Sequence, residues 1–541
     1  MAKKTAKTEK SKKSKKGDEE IVKRKKKSSD EDDEPKKGKK KAKKLKDEDE
    51  PKKKGKKSKR EDDEDDVGDQ DAQEFFDVNS YIADTLDEVA RRQGFDSSTL
   101  ESAPPVSSGL LAIDLITGGG LRAGMLTAAG EEQCAKSTLA LTAMGSSINN
   151  NTPYIAFVDY EGSTVSSKPY IHSILKGQGV KLSMDEVFGK RGHDGKWEIR
   201  PRVRFRAETS LEKFYEWLAA MLREMPDKRY VEHKWWLVFE DNKKNKAKVG
   251  SFLDKSMTRK YGNGLWVAAK DGNLQGVVFV DSYTAMNPDA KDKEEISNQY
   301  SVKASAFSKQ LERIKGRMLQ KMVMVYGLNH LRDNPGVVFG EKQTEKGGKA
   351  LKQFSDVRFR QTSRALSAAK AYFSPKPGKG TFNEVEQSVE SKGKDEYRYV
   401  SVKAIKNKLW VPNRQALLRV WIHDGKGVAR GIDPVFDTAF YLKETGQISG
   451  RRDKLILDLD GFGKAKKPIT WEQFKLWVLG DKNAMKGISG ICGYKAMSIR
   501  KFCFSQLAKG VGERLYVEKQ GGPADKDEDG DDDDDDGDDD E

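Results

Sequence analysis

Nine consecutive residues, Gly130-Glu131-Glu132-Gln133-Cys134-Ala135-Lys136-Ser137-Thr138, restrict the possible folds of this chain more than any other stretch. They follow an apolar run, Met125 to Ala129, that reads as a strand, and they open a helical run, Leu139 to Met144. A strand that turns in this way into a helix offers backbone N–H groups and a helix N-terminus to an anion. In the GxxxxGK[ST] pattern the lysine, here Lys136, meets the β and γ oxygens of a nucleotide, and the next hydroxyl, Ser137, meets Mg²⁺. Ala135 stands where the pattern has its last glycine, so the loop must keep a backbone that a Cβ tolerates.

Short apolar runs recur downstream: Tyr154 to Asp159, Val277 to Asp281, and Met322 to Tyr326. Continuous strands of this kind are buried on both faces, which predicts an α/β fold with a largely parallel central sheet flanked by helices. Asp281 ends one such run, where a carboxylate supports Mg²⁺ beside a phosphate loop. Glu161 lies just beyond another, where it would polarise water for in-line attack on a γ-phosphate. ATP and Mg²⁺ are the cofactors these positions imply.

Charge is unevenly spread over the 541 residues, whose net formal charge is +14. Residues 1–70 alternate Lys-rich and acidic blocks with hardly any apolar side chain, and residues 521–541 carry 14 acidic side chains and one basic, so both are expected to be disordered tails. The Lys23–Lys27 block of the first reads as a solubilising, DNA-tethering or import patch. Residues 71–520 keep 72 basic and 53 acidic side chains, and a body at +19 favours nucleic acid among partner classes. No apolar run approaches the ~18 residues of a membrane span, and no secretory signal is evident, so a soluble, cytoplasmic, DNA-associated chain is expected. Cys134, Cys492 and Cys503 have no metal-ligand spacing, and neither a disulfide framework nor a structural zinc is expected.

These residues together resemble the bacterial RecA recombinases, phage-encoded members included. Ser108 to Asp114 followed by Gly118 to Gly124 is similar to the family's lead-in to the phosphate loop, and Phe157-Val158-Asp159-Tyr160-Glu161 to its catalytic glutamate strand. Asn329-His330-Leu331-Arg332, Gly336 to Gly340 and Gly347 to Lys352 follow the order of its second DNA-binding loop. Lys406-Asn407-Lys408 resembles the lysines that reach a neighbouring protomer's nucleotide. The similarity runs over about residues 106–430, interrupted near 228–274 and 370–392.

The resemblance implies a DNA-dependent ATPase that assembles into a helical filament on single-stranded DNA and promotes pairing and strand exchange with homologous duplex, in recombination and repair. A single-strand-binding protein or loader would accompany it. Glu161 would be the base, Gly130 to Thr138 the nucleotide cradle, Ser137 and Asp281 the Mg²⁺ supports, and Lys406 and Lys408 cations supplied in trans. Tyr170 would stack on adenine. His330 stands where the family has the glutamine that senses the γ-phosphate. DNA contacts are expected from Tyr300 and Lys303 in a first loop over Lys291–Lys303, and from Arg332, Lys342, Lys346, Gly347, Gly348, Lys349 and Lys352 in the second. The expected organisation is a tail (1–70), an N-terminal oligomerisation helix (71–105), the ATPase and DNA-binding core (106–430), a small α+β C-terminal domain (431–520) and an acidic tail (521–541). A RecA-fold helicase or branch-migration motor, or a DNA-coating protein that does not hydrolyse ATP, are the alternative readings.

Overall fold

In the computed structural model the protein is described over residues 78–92, 103–162, 167–208, 210–262, 264–288, 299–333, 343–345, 348–363, 396–423, 431–451, 453–495 and 497–519. Both charged tails and the extra residues near 370–392 lie outside the described residues. The central sheet is built from β1 (Gly124–Gly130), β2 (Tyr154–Asp159), β3 (Arg204–Ala207), β4 (Gly276–Asp281), β5 (Val323–Asp333), β6 (Val357–Ser363), β7 (Glu396–Asn407), β8 (Gln415–His423) and β9 (Gly431–Ile432). Their order across the sheet is β9-β8-β7-β6-β1-β5-β4-β2-β3. From β6 to β3 every pairing is parallel, and β7, β8 and β9 extend the other edge antiparallel. The helices used below are α1 (Val78–Arg92), α2 (Leu111–Thr117), α3 (Lys136–Asn149), α4 (Lys168–Gly177), α5 (Leu211–Glu224), α6 (Gln299–Gln320), α7 (Gly348–Phe354) and α8 (Pro434–Glu444).

Alternation along the strands explains why the apolar runs are continuous. Ile155, Phe157, Val277 and Phe279 pack in one core with Leu139 and Leu141 of α3 and Ile171 and Ile174 of α4. Ala156, Val158, Val278 and Val280 point the other way, into a second core with Phe214 and Leu218 of α5 and Phe307 and Leu311 of α6. With helices on both faces, neither set of side chains meets water. The sheet is therefore largely parallel and covered on both sides, as its sequence predicts.

Between α5 and β4 a separate three-stranded antiparallel sheet, Asp227–Val231, Lys234–Phe239 and Leu265–Ala268, carries two short helices. Trp236, Val238, Met257, Tyr261 and Trp266 form its own small core. It joins the main sheet at the start of β4, opposite the strand ends described below, where Lys321 Nζ lies 2.7 Å from Asp227 Oδ1.

Beyond β9, Leu442, Leu457, Trp471, Phe474, Trp477 and Cys503 pack in a third core, into which Leu111 and Leu115 of α2 also insert. In the sequence, Trp471, Phe474, Trp477 and Leu479 are spaced for one buried helical face, and the helix Trp471–Val478 buries the first three. Leu479 departs from that pattern: it is the C-cap residue, off the buried face, and 57% exposed. Asp437, fully buried in α8, joins this module to the lead-in. Its carboxylate accepts from Leu111 N at 3.0 Å and Ala112 N at 2.9 Å, and Arg500 Nη1 lies 2.7 Å from it. No helix among the described residues is long and apolar enough to cross a membrane.

Candidate functional site

Register places the chemistry at one edge. Gly130 at the end of β1 pairs with His330 of β5, and Asp159 of β2 pairs with Asp281 of β4. These positions lie at the C-terminal ends of adjacent parallel strands, where open α/β sheets bind ligands. A cavity of about 540 Å³ opens there, lined by the loop Glu132–Thr138 together with Glu161, Tyr170, Asp281 and His330. A larger cleft of about 790 Å³, between the lead-in segment and the C-terminal module, contains none of these groups.

The loop differs in one respect from the sequence-based expectation. Ala135 sits at φ 60°, ψ 31° as the N-cap of α3, and Gln133 at φ 58°. The glycine replacement is thus accommodated in a left-handed backbone, at about 1–2 kcal/mol for an L-residue, rather than avoided. Lys136 Nζ donates to the carbonyls of Gly130 at 3.0 Å and Glu131 at 2.5 Å. Cys134 Sγ lies 3.0 Å from the Glu131 carbonyl, inside the turn. Thr138 Oγ1 and Tyr170 Oη are 3.5 Å apart, so Tyr170 stands against the loop with its ring about half exposed.

Two carboxylates face the loop in different electrostatic states. Ser137 Oγ donates to Asp281 Oδ2 at 2.9 Å. Burial, reinforced by the nearby Glu161 charge, raises the Asp281 pKa to about 6, against the lowering effect of the Ser137 hydrogen bond. A hydroxyl and a buried carboxylate in contact suit Mg²⁺, which takes few protein ligands and completes its shell with water and phosphate oxygens. Glu161 behaves oppositely. His330 Nε2 lies 3.0 Å from Glu161 Oε1, and Ser282 Oγ donates to the same oxygen at 2.6 Å. The hydrogen bond from His330, in the tautomer with the proton on Nε2, holds Glu161 below the usual glutamate range against the opposing effect of burial. Asp159 aims the glutamate: its Oδ1 accepts from Glu161 N at 3.1 Å and Gly162 N at 2.8 Å.

The remaining expected positions distribute as follows. Arg332 lies on β5 opposite Thr344, and its side chain is exposed. Lys342, Lys346 and Gly347 lie outside the described residues. Gly348, Lys349 and Lys352 stand on α7. Of the segment Lys291–Lys303 expected as a first DNA-binding loop, Tyr300 and Lys303 lie on α6, which begins at Gln299. Lys303 Nζ donates to the Thr284 carbonyl at 2.7 Å, and Thr284 Oγ1 accepts from His330 N at 3.0 Å. Lys406 pairs in register with Arg358, three strand positions before the level of Gly130. Its Nζ donates to the carbonyls of Lys352 at 2.7 Å and Gln353 at 2.9 Å. Lys408 Nζ is 4.0 Å from Asp356 Oδ1. Burial, with Lys408 and Arg358 nearby, pushes the Lys406 pKa down.

Sequence reasoning missed Arg398 and Trp421, which line the cavity from β7 and β8. Arg398 forks onto Gln133: Nη1 donates to the Gln133 carbonyl, and Nη2 to Oε1 at 3.2 Å. Nothing local marks these residues, since β7 runs antiparallel and brings its first residues, not its last, to the loop. Ser282, next to Asp281, was also missed.

Comparison with known proteins matches residues 267–374 to the RecA N-terminal domain. Proteins named RecA from Thermus aquaticus and Aquifex pyrophilus are 30% and 33% identical over 162 and 164 residues, in each case 30% of this chain and 40% of the relative. RecA of Ectopseudomonas oleovorans is 27% identical over 228 residues, covering 41% of this chain and 55% of that protein. The chain thus matches about half or less of the length of these relatives. Over the matched residues the chain is similar to the RecA family, and the strand-end constellation and the largely parallel sheet agree with that likeness.

Proposed function

We propose that this protein is an ATP-dependent DNA recombinase, which forms a filament on single-stranded DNA and promotes pairing and strand exchange with homologous duplex. The observation that carries this reading is the direct contact of His330 with Glu161, because β5 continues from His330 into the Gly- and Lys-rich segment expected to hold DNA. One residue then touches the base that activates water and starts the segment that meets the strand.

Lys136 and the loop N–H groups bind the triphosphate, and Ser137 and Asp281 hold Mg²⁺, which when bound neutralises charge on the phosphate oxygens. Glu161, ionised at neutral pH, accepts a proton from the attacking water. His330 and Ser282 fix the orientation of its carboxylate. Lys406 lies too far back along the sheet to serve its own nucleotide, which supports a role for Lys406 and Lys408 at a neighbour's. Tyr81, Ile82, Leu86 and Val89 leave an exposed apolar stripe on α1, suited to packing against an adjacent protomer. Arg332, Lys349 and Lys352 would contact the DNA backbone without reading bases.

ATP turnover with and without single-stranded DNA tests this reading. The chain should hydrolyse ATP faster when DNA is present, and Glu161→Gln should lose roughly 10²–10⁴-fold of that rate while retaining ATP-dependent assembly. Nucleotide binding without DNA-stimulated turnover would favour a coat protein, and undiminished turnover by the variant would remove Glu161 from the base role.

A further inference from the structure

We propose that Arg398 is a positioning residue that holds the phosphate loop in its binding conformation, doing from β7 what glycines inside the loop would otherwise do. The inference rests on the nucleotide-binding reading of the cavity.

The loop contains two side-chain-bearing residues in the left-handed region, Gln133 at φ 58° and Ala135 at φ 60°. Left to itself, such a segment relaxes towards backbone angles that an L-residue prefers, and the N–H groups around the phosphates lose their common direction. Something must hold it. Arg398 grips Gln133 at two acceptors, its carbonyl and its side-chain Oε1, which fixes the peptide plane and the side chain together. A planar guanidinium is suited to this, whereas the ammonium of a lysine is a point charge without the fork. The grip has a second effect: a carbonyl turned towards phosphate repels it, and the Gln133 carbonyl is engaged by a cation.

Arg398 also lines the cavity, so the alternative is a direct role for its charge. The two roles differ in what they require. Positioning needs the fork and affects every nucleotide whose α and β phosphates the loop cradles. A direct contact with the γ-phosphate needs only charge and affects ATP alone. Positioning also depends on strain within the loop, and glycine at position 135 relieves that strain, since it adopts φ 60° without a Cβ penalty.

Titration of the full-length chain with fluorescently labelled ADP and ATP in the presence of Mg²⁺ separates these. Arg398→Ala and Arg398→Lys should both bind about tenfold more weakly, to ADP and ATP alike. Adding Ala135→Gly to Arg398→Ala should restore most of the loss. Wild-type affinity in the lysine variant, a loss confined to ATP, or no recovery with glycine would each overturn the proposal. Circular dichroism melts of the variants identify any loss that comes from unfolding, and the lysine variant keeps the charge in place. Failure of the unaltered chain to bind either nucleotide would instead overturn the reading of the cavity, and the proposal with it.

Discussion

Asp281 is ionised at neutral pH against the preference of its surroundings. Its pKa is 3.8 when exposed and about 6 in the fold, so the folded state holds the proton more tightly than the unfolded state does. Ionisation therefore costs the fold nothing below pH 3.8, and roughly 3 kcal/mol in full once the pH is above 6. Asp281→Asn should raise the denaturant midpoint of the nucleotide-free protein at pH 7.5, and the gap to wild type should narrow as the pH falls through 6 towards 4. The same variant should lose the stabilisation that Mg²⁺ and nucleotide together confer on wild type. A gap that is constant with pH would show that burial does not act on Asp281 in this way. Residues of this kind were legible in the sequence, because Lys136, Ser137, Glu161 and Asp281 each sit at a fixed offset from an apolar run. Arg398 was not, since its partner Gln133 is 265 residues away and only the sheet brings them together.

Among elements, the tie between α2 and the C-terminal module is the most exposed to a single change. Asp437 has 0% of its surface exposed, satisfies two N–H groups at the start of α2, and faces Arg500. Asp437→Ala leaves the guanidinium without its carboxylate and the two donors uncapped, and should destabilise the protein by about 3–5 kcal/mol in chemical denaturation. A change below about 0.5 kcal/mol would mean that the tie contributes nothing. Strands were the more legible elements. Burial on both faces writes them as unbroken apolar runs, and β2 and β4 fall where those runs stand. Boundaries set by caps and local turns were less so: Leu479 continues the apolar spacing of its helix yet caps it, and α6 starts inside a segment expected to be a loop. The Trp-, Lys- and Gly-rich stretch between α5 and β4 reads in the sequence as a β-rich insertion, and its sheet encloses a core of its own around Trp236 and Trp266.

At the scale of the whole molecule, the proposed nucleotide site would have a near side and a far side. Lys136, Asp281, Glu161 and His330 form the near side on one edge of the sheet, while Lys406 and Lys408 lie back along it, where they suit a second copy of the chain. Hydrolysis would then weaken the assembly by removing contacts made from both sides to the γ-phosphate. Electron microscopy of the full-length protein with single-stranded DNA and a non-hydrolysable ATP analogue tests this most directly. Continuous helical filaments that fall apart when ADP replaces the analogue are expected; closed rings or dispersed single particles under both nucleotides would contradict the shared site.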